Sequence, residues 1–134
     1  MAVQGLYALQ NGFIGFERNG LFFGERSGAR VQIPVCCYLI RTSDAVILFD
    51  TGFSPRAVPG LIRNDPLARF TDEDLLVHRL DALNLEPADV DLVVVLTDHN
   101  GVDYARVVEK ARHVLDTRNA CKQVTDGREK VTLL

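Results

Sequence analysis

Asp91-Leu92-Val93-Val94-Val95-Leu96-Thr97, running straight into Asp98-His99-Asn100, is the stretch on which the reading of this chain turns. Its aliphatic run is bounded by polar residues and is too short for a long helix. It suits a strand buried on both faces, and such a strand belongs in the middle of a sheet. Downstream, residues 103–111 place Tyr104, Val107, Val108 and Ala111 on one side of a helix, and residues 113–116 read as another strand. Strand, helix and strand in that order call for a parallel crossover.

Upstream, Thr71 with Asp74 three residues on has the form of a helix start. Leu75, Leu76, Leu80 and Leu83 then recur at about 3.6-residue spacing, and residues 84–87 end the helix. Residues 31–42 and 45–50 pair as strands across Thr42-Ser43-Asp44. Residues 5–16 and 20–25 read as a first hairpin, because Asn19-Gly20 between apolar runs tolerates the positive φ of a tight turn. A turn-rich passage with Ser54-Pro55 and Pro59-Gly60 leaves room for a short helix before Pro66, and residues 130–134 close with a last strand. The expected fold is α/β. An antiparallel N-terminal meander is joined to a parallel β-α-β unit in one mixed sheet, with helices mainly on one side.

Two resemblances bear on this plan. The segments Pro34-Val35-Cys36-Cys37-Tyr38-Leu39-Ile40, Val46-Ile47-Leu48-Phe49-Asp50-Thr51-Gly52, Thr71-Asp72-Glu73-Asp74 and Pro87-Ala88-Asp89-Val90-Asp91-Leu92-Val93-Val94 occur in this order and spacing. Through them, residues 1–97 resemble the N-terminal part of the metallo-β-lactamase superfamily, in its N-acyl homoserine lactonase branch. That resemblance implies a His-x-His-x-Asp-His cluster of metal ligands after the strand. The chain instead reads Thr97-Asp98-His99-Asn100-Gly101-Val102-Asp103-Tyr104. Residues 93–134 resemble the C-terminal, UDP-binding domain of a nucleotide-sugar dehydrogenase of the UDP-N-acetylmannosamine or UDP-glucose type. The residues that carry this are Val95-Leu96-Thr97-Asp98-His99, Tyr104-Ala105-Arg106-Val107-Val108-Glu109, Val114-Leu115-Asp116-Thr117-Arg118-Asn119-Ala120 and Lys130-Val131. A crossover inside the shared strand, within residues 91–97, would make the chain a chimera of two enzyme fragments with no evolved catalytic function. The alternatives are a degenerate hydrolase or lactonase lacking its zinc motif, or a module with residual UDP or UDP-sugar affinity.

Composition narrows the classes. The 134 residues fit one domain, 1–134, and a chain of this size buries only about two thirds of its unfolded surface. Apolar residues at 47% and charged residues at 25% suit a globular domain, and a net charge of −3 supplies no basic footprint for nucleic acid. No apolar run approaches the roughly 18–20 residues of a membrane helix, and the N-terminus lacks the pattern of a signal peptide, so a cytoplasmic protein without a membrane partner is expected. Cys36, Cys37 and Cys121 have no Cys-x-x-Cys spacing. Adjacent Cys36 and Cys37 must point to opposite faces of a strand and read as small buried apolar residues. An uncovered apolar face or strand edge is expected to bring a second copy, as a dimer or by strand exchange, with the Phe-rich first hairpin as one route.

Four residues are the candidates for ligand contact. Asp50, in Asp50-Thr51-Gly52, matches a turn near the metal pocket, as the first resemblance implies, or simply ends a strand and bonds nearby backbone N–H groups. Asp98 and His99 lie past the carboxyl end of the buried strand, where open α/β sheets place their crevices. A histidine beside a carboxylate suits acid–base work, whereas the plainer alternative has Asp98 cap the following helix and His99 solvated. Arg118 lies at the corresponding end of the next strand. It suits a phosphate or carboxylate, or an ion pair with Asp98 or Asp116. No catalytic residue, metal or cofactor is assigned, and neither bound zinc nor lactone turnover is expected; His78 and His113 are read as non-ligands. If both segments share one core, urea should give a single transition that Val94→Ala shifts as a unit by about 1–3 kcal/mol. Hydrogen exchange with residues 31–90 protected and 100–134 unprotected would instead show a folded part carrying a passive tail.

Overall fold

A computed structural model describes residues 2–99 and 102–134; Asn100 and Gly101, in the stretch where the first resemblance implies a metal motif, lie outside the described residues. Six strands form one sheet in the order β1-β2-β3-β4-β5-β6: β1 is Val3–Glu17, β2 Arg30–Thr42, β3 Val46–Phe49, β4 Leu92–Val95, β5 His113–Asp116 and β6 Val131–Leu133. The first three pair antiparallel, and β3 through β6 run parallel. Between them lie the helices α1 (Arg18–Leu21), α2 (Val58–Asn64), α3 (Leu76–Asp81) and α4 (Tyr104–Lys110). This is the expected mixed α/β sheet, with β4 in the centre between β3 and β5.

The first hairpin differs from expectation. Residues 20–25 are not a strand: β1 pairs with β2 along almost its whole length, from Val3 opposite Thr42 to Glu17 opposite Arg30. Asn19-Gly20 sits inside the short helix α1, and the ring of Phe16 packs over Gly20, where a Cβ would come within 2.6 Å of it. The long ladder supplies far more backbone pairing than a tight turn would. Phe22 and Phe23 are thereby left exposed at the tip, Phe23 fully so.

One face of the sheet carries the core. Leu9, Cys37, Leu39, Leu48, Val93, Val95 and Val114 pack there with Leu80 of α3 and Val108 of α4. Thr71 does open the predicted helix region, its N–H donating to the Asp74 carboxylate at 2.8 Å, although the first turn is 3-10 and α3 begins only at Leu76. The helix α4 is capped by Asp103, whose carboxylate accepts from the Arg106 N–H at 3.1 Å. Asp98 does not cap it, because Asp103 immediately precedes the first turn and already fills that role. On the opposite sheet face Leu6, Ala8 and Tyr38 are exposed and Ile40, Ile47, Phe49, Leu92 and Leu115 are half-buried, while Val94 is the buried member of that row.

Two carboxylates tie this plan together. Asp91 accepts from the Val46 N–H at 2.8 Å and from the Arg112 guanidinium at 2.6 Å, joining β3, β4 and the entry to β5. Asp116 is fully buried at the end of β5 and accepts from the N–H groups of Arg118 (3.0 Å), Ala120 (3.1 Å) and Cys121 (2.8 Å). Burial pushes its carboxyl up, but the backbone donors outweigh this and hold it below the usual carboxylate range. An unfolded aspartate titrates at about 3.9. With the folded value lower, the stabilisation is complete above that pH and is lost as pH falls through the folded value. Asp116→Asn is therefore expected to cost about 2–3 kcal/mol near neutral pH and to shrink the acid-induced fall in urea midpoint. A variant whose midpoint falls with acid as steeply as the parent's would contradict this.

Candidate active-site corner

The chain leaves β3 and β4 at the same end of the sheet, so the residues just past those strands converge there. Asp50 ends β3 in a left-handed conformation, φ 62°, which aspartate tolerates better than most residues. Its N–H donates to the Val94 carbonyl at 2.9 Å, and its carboxylate accepts from the Leu96 N–H at 3.3 Å. Asp50 thus locks the exits of β3 and β4 together. Gly52 follows with φ 65°; a Cβ there would come within 3.1 Å of Asn11, so only glycine combines this turn with this approach. Asn11 is itself buried, donating to the Asp74 carbonyl at 2.9 Å and accepting from the Cys37 N–H at 3.3 Å.

His99 is half-buried rather than solvated. Its ring lies 5.7 Å from that of Phe53, and its backbone N–H donates to the Tyr104 hydroxyl at 3.0 Å. Tyr104 in turn donates to the Thr97 carbonyl at 3.3 Å. Burial raises the Tyr104 phenol; the bond from His99 opposes this, and the charges of Asp98 and Asp50 add to it. Asp50, Asp98 and His99 therefore share one corner, with Tyr104 as the group that senses all three. Sequence reading treated Tyr104 as part of an apolar helix stripe and did not single out Phe53 or Asn11. A tyrosine in a first helical turn five residues past a histidine was the available signal.

Arg118 meets that corner only through Asp98: the two line a cleft with Thr117, Asn119, Leu133 and Leu134 at the carboxyl ends of β4 and β5. The expected ion pair with Asp98 or Asp116 is not among the salt bridges of the described residues, because Asp116 is occupied by backbone donors, the N–H of Arg118 among them. The thiols are structural. Burial, with the charge of Asp50 adding to it, pushes Cys37 up to about 12, and burial with Asp116 pushes Cys121 up to about 11. Neither supplies thiolate near neutral pH.

Zinc sites need three or four converging nitrogen, oxygen or sulfur donors. Among the described residues no group of three or more His, Cys, Asp or Glu side chains could hold a metal ion, and the Asp50 carboxylate already accepts a backbone N–H. The donor set present does not fit a zinc centre.

An N-acyl homoserine lactonase of Bacillus thuringiensis is 30% identical over 112 residues, covering 78% of this chain and 44% of the relative. The lactonase AiiB of Agrobacterium fabrum is 35% identical over 89 residues, covering 62% of this chain and 32% of the relative. Over most of its length the chain is N-acyl homoserine lactonase-like. No family model matches it. Among solved structures, a variant of B. thuringiensis AiiA with N-decanoyl-L-homoserine at its active site superposes with a TM-score of 0.74 at 22% identity, over 100% of this chain and 60% of that one. A probable metal-dependent hydrolase from Staphylococcus aureus gives 0.70 at 15% identity, over 100% and 60%. At these identities the structures show the fold.

These findings correct two expectations. The expectation of a recombined chain with no evolved catalytic function does not stand, since the relatives are lactonases and the fold of a lactonase spans the whole chain, residues 98–134 included. Nothing in the likenesses shows a nucleotide-sugar dehydrogenase unit. The chain spans 44% of the length of the first relatives it matches. Among the described residues no helix is long and apolar enough to cross a membrane. Tyr104→Phe removes the acceptor for the His99 N–H and the donor to Thr97, and is expected to cost about 1–2 kcal/mol in urea unfolding. An unchanged midpoint would show that the tyrosine does not hold this corner.

Proposed function

We propose that the chain is a lactonase-type hydrolase and that Asp50, Asp98, His99 and Tyr104 form its reacting corner. The observation that carries this is the 112-residue likeness to an N-acyl homoserine lactonase, which includes 78% of the chain. Position supports it, because these side chains lie past the carboxyl ends of β3 and β4, where α/β sheets hold ligands.

The chemistry follows from the residues present. Imidazole is the side chain best suited to proton transfer near neutral pH. The His99 imidazole takes a proton from water as the water oxygen attacks the lactone carbonyl. The ring C–O bond then breaks, and the proton passes to the departing ring oxygen, giving the open hydroxy acid. The Tyr104 hydroxyl anchors the His99 backbone and the Phe53 ring packs against the imidazole, which together hold the base in this corner. Since the donors do not fit a zinc ion, no step is routed through one.

N-acyl homoserine lactones of graded chain length, followed by acid release in a weakly buffered indicator assay, test the proposal. The full chain is expected to open the lactone above the uncatalysed rate, and His99→Ala to lose about 10²- to 10⁴-fold, the usual contribution of one general base. Lactone opening no faster than in buffer, or equal rates for parent and His99→Ala, overturns it.

A further inference from the structure

On the helix-bearing side of the sheet lies a cavity of about 460 Å³, within the range of small-molecule sites. Its floor is Leu48 of β3 and Val93 of β4. Leu76 and Leu80 of α3 form one wall, and Val107 of α4 with Ala111 just past its end the other. Thr51 and Ser54 are the uncharged polar side chains of the lining, so a polar body would lose most of its hydration here for few partners. The lining therefore selects an apolar chain.

The opening has a different character. Arg56, Asp103, Arg106 and Lys110 also line the cavity and are exposed, so their charges stand where it meets solvent. Three of these four are cations, on a chain whose net charge is −3. Arg56 is 3.8 Å from Asp103, and Lys110 is 2.6 Å from Glu109. The Arg106 side chain forms no salt bridge among the described residues, although it lies one helical turn from Lys110 on the same face of α4. A mainly apolar interior with an exposed guanidinium at its mouth, close enough for its charge to act on Glu109 but in no salt bridge among the described residues, fits a ligand with an unbranched chain and a single terminal anion.

We infer that this cavity is a binding site for a medium-chain carboxylate, with the chain between α3 and α4 and the carboxylate on Arg106. A guanidinium presents paired N–H donors that match the two oxygens of a carboxylate. The cavity shares Phe53 with that corner but none of Asp50, Asp98, His99 and Tyr104, and octanoate binding is read by a measurement that does not depend on lactone opening.

Calorimetric titration of the full chain with octanoate, octan-1-ol and octyltrimethylammonium tests the inference. Octanoate is expected to saturate one site per chain and to bind about tenfold or more tightly than the alcohol, with the cation weakest. Arg106→Glu should remove that preference, and Arg106→Gln should weaken octanoate while sparing octan-1-ol; Arg106 is exposed, and unchanged thermal unfolding confirms folding of both variants. Val107→Trp should block all three ligands by filling the cavity. Absence of saturable octanoate binding overturns the inference. So does equal affinity for acid and alcohol, or an octanoate affinity indifferent to Arg106→Glu in a folded variant, since either leaves an apolar cavity with no anion site.

Discussion

Everything in this molecule hangs on the parallel pairing of β4 with the strands on either side of it. Leu92 and Val94 face one side of the sheet and Val93 and Val95 the other, and the three valines are nearly inaccessible. Such a strand needs all its backbone groups paired, since an unpaired buried group costs several times the net worth of a hydrogen bond. Its ends are secured by side chains as well. Asp91 reaches back to the Val46 N–H at the start, and Asp50 receives the Leu96 N–H at the finish. Between these clamps the register is set, and a slip by one residue would send Val93 and Val95 from the core face to the opposite one.

The candidate corner follows from that constraint. With β3 and β4 held in register, Asp50 and the segment 96–99 must leave the sheet side by side. The clamp that fixes the fold and the carboxylate nearest the corner are thus one residue, Asp50. Its left-handed backbone shows how tightly the exit is constrained. His99 is then positioned from two directions, by Phe53 from the β3 exit and by Tyr104 from α4.

Local pattern made much of this legible. The aliphatic run 92–96, the leucines 75–83 and the strand 113–116 each carry a periodicity that burial enforces, and all appear where that periodicity put them. Turn chemistry misled at Asn19-Gly20, because a strong local turn signal was outweighed by the ladder between β1 and β2, whose partners lie up to 39 positions apart. Asp103 displaced Asp98 as helix cap for a simpler reason: both are aspartates near one helix start, and only the start itself distinguishes them. Contacts such as Asp91 to Val46 or Asn11 to Asp74 leave no trace in local sequence, since they depend on residues 45 and 63 positions away. The site was visible as a neighbourhood of candidates. Its organisation around Tyr104 was not.

The strand order carries one more consequence. In the sheet, each strand lies beside the one that precedes it in the chain, from β1 through to β6, with no later strand inserted between earlier ones. As these residues emerge during synthesis, every new strand can therefore add to an edge that already exists, and no completed pair has to reopen. The exposed edge moves along the growing sheet until β6 takes it over. A topology of this kind limits how long any one edge stands unpaired before its partner arrives, which is the interval in which nascent strands pair with the wrong neighbour.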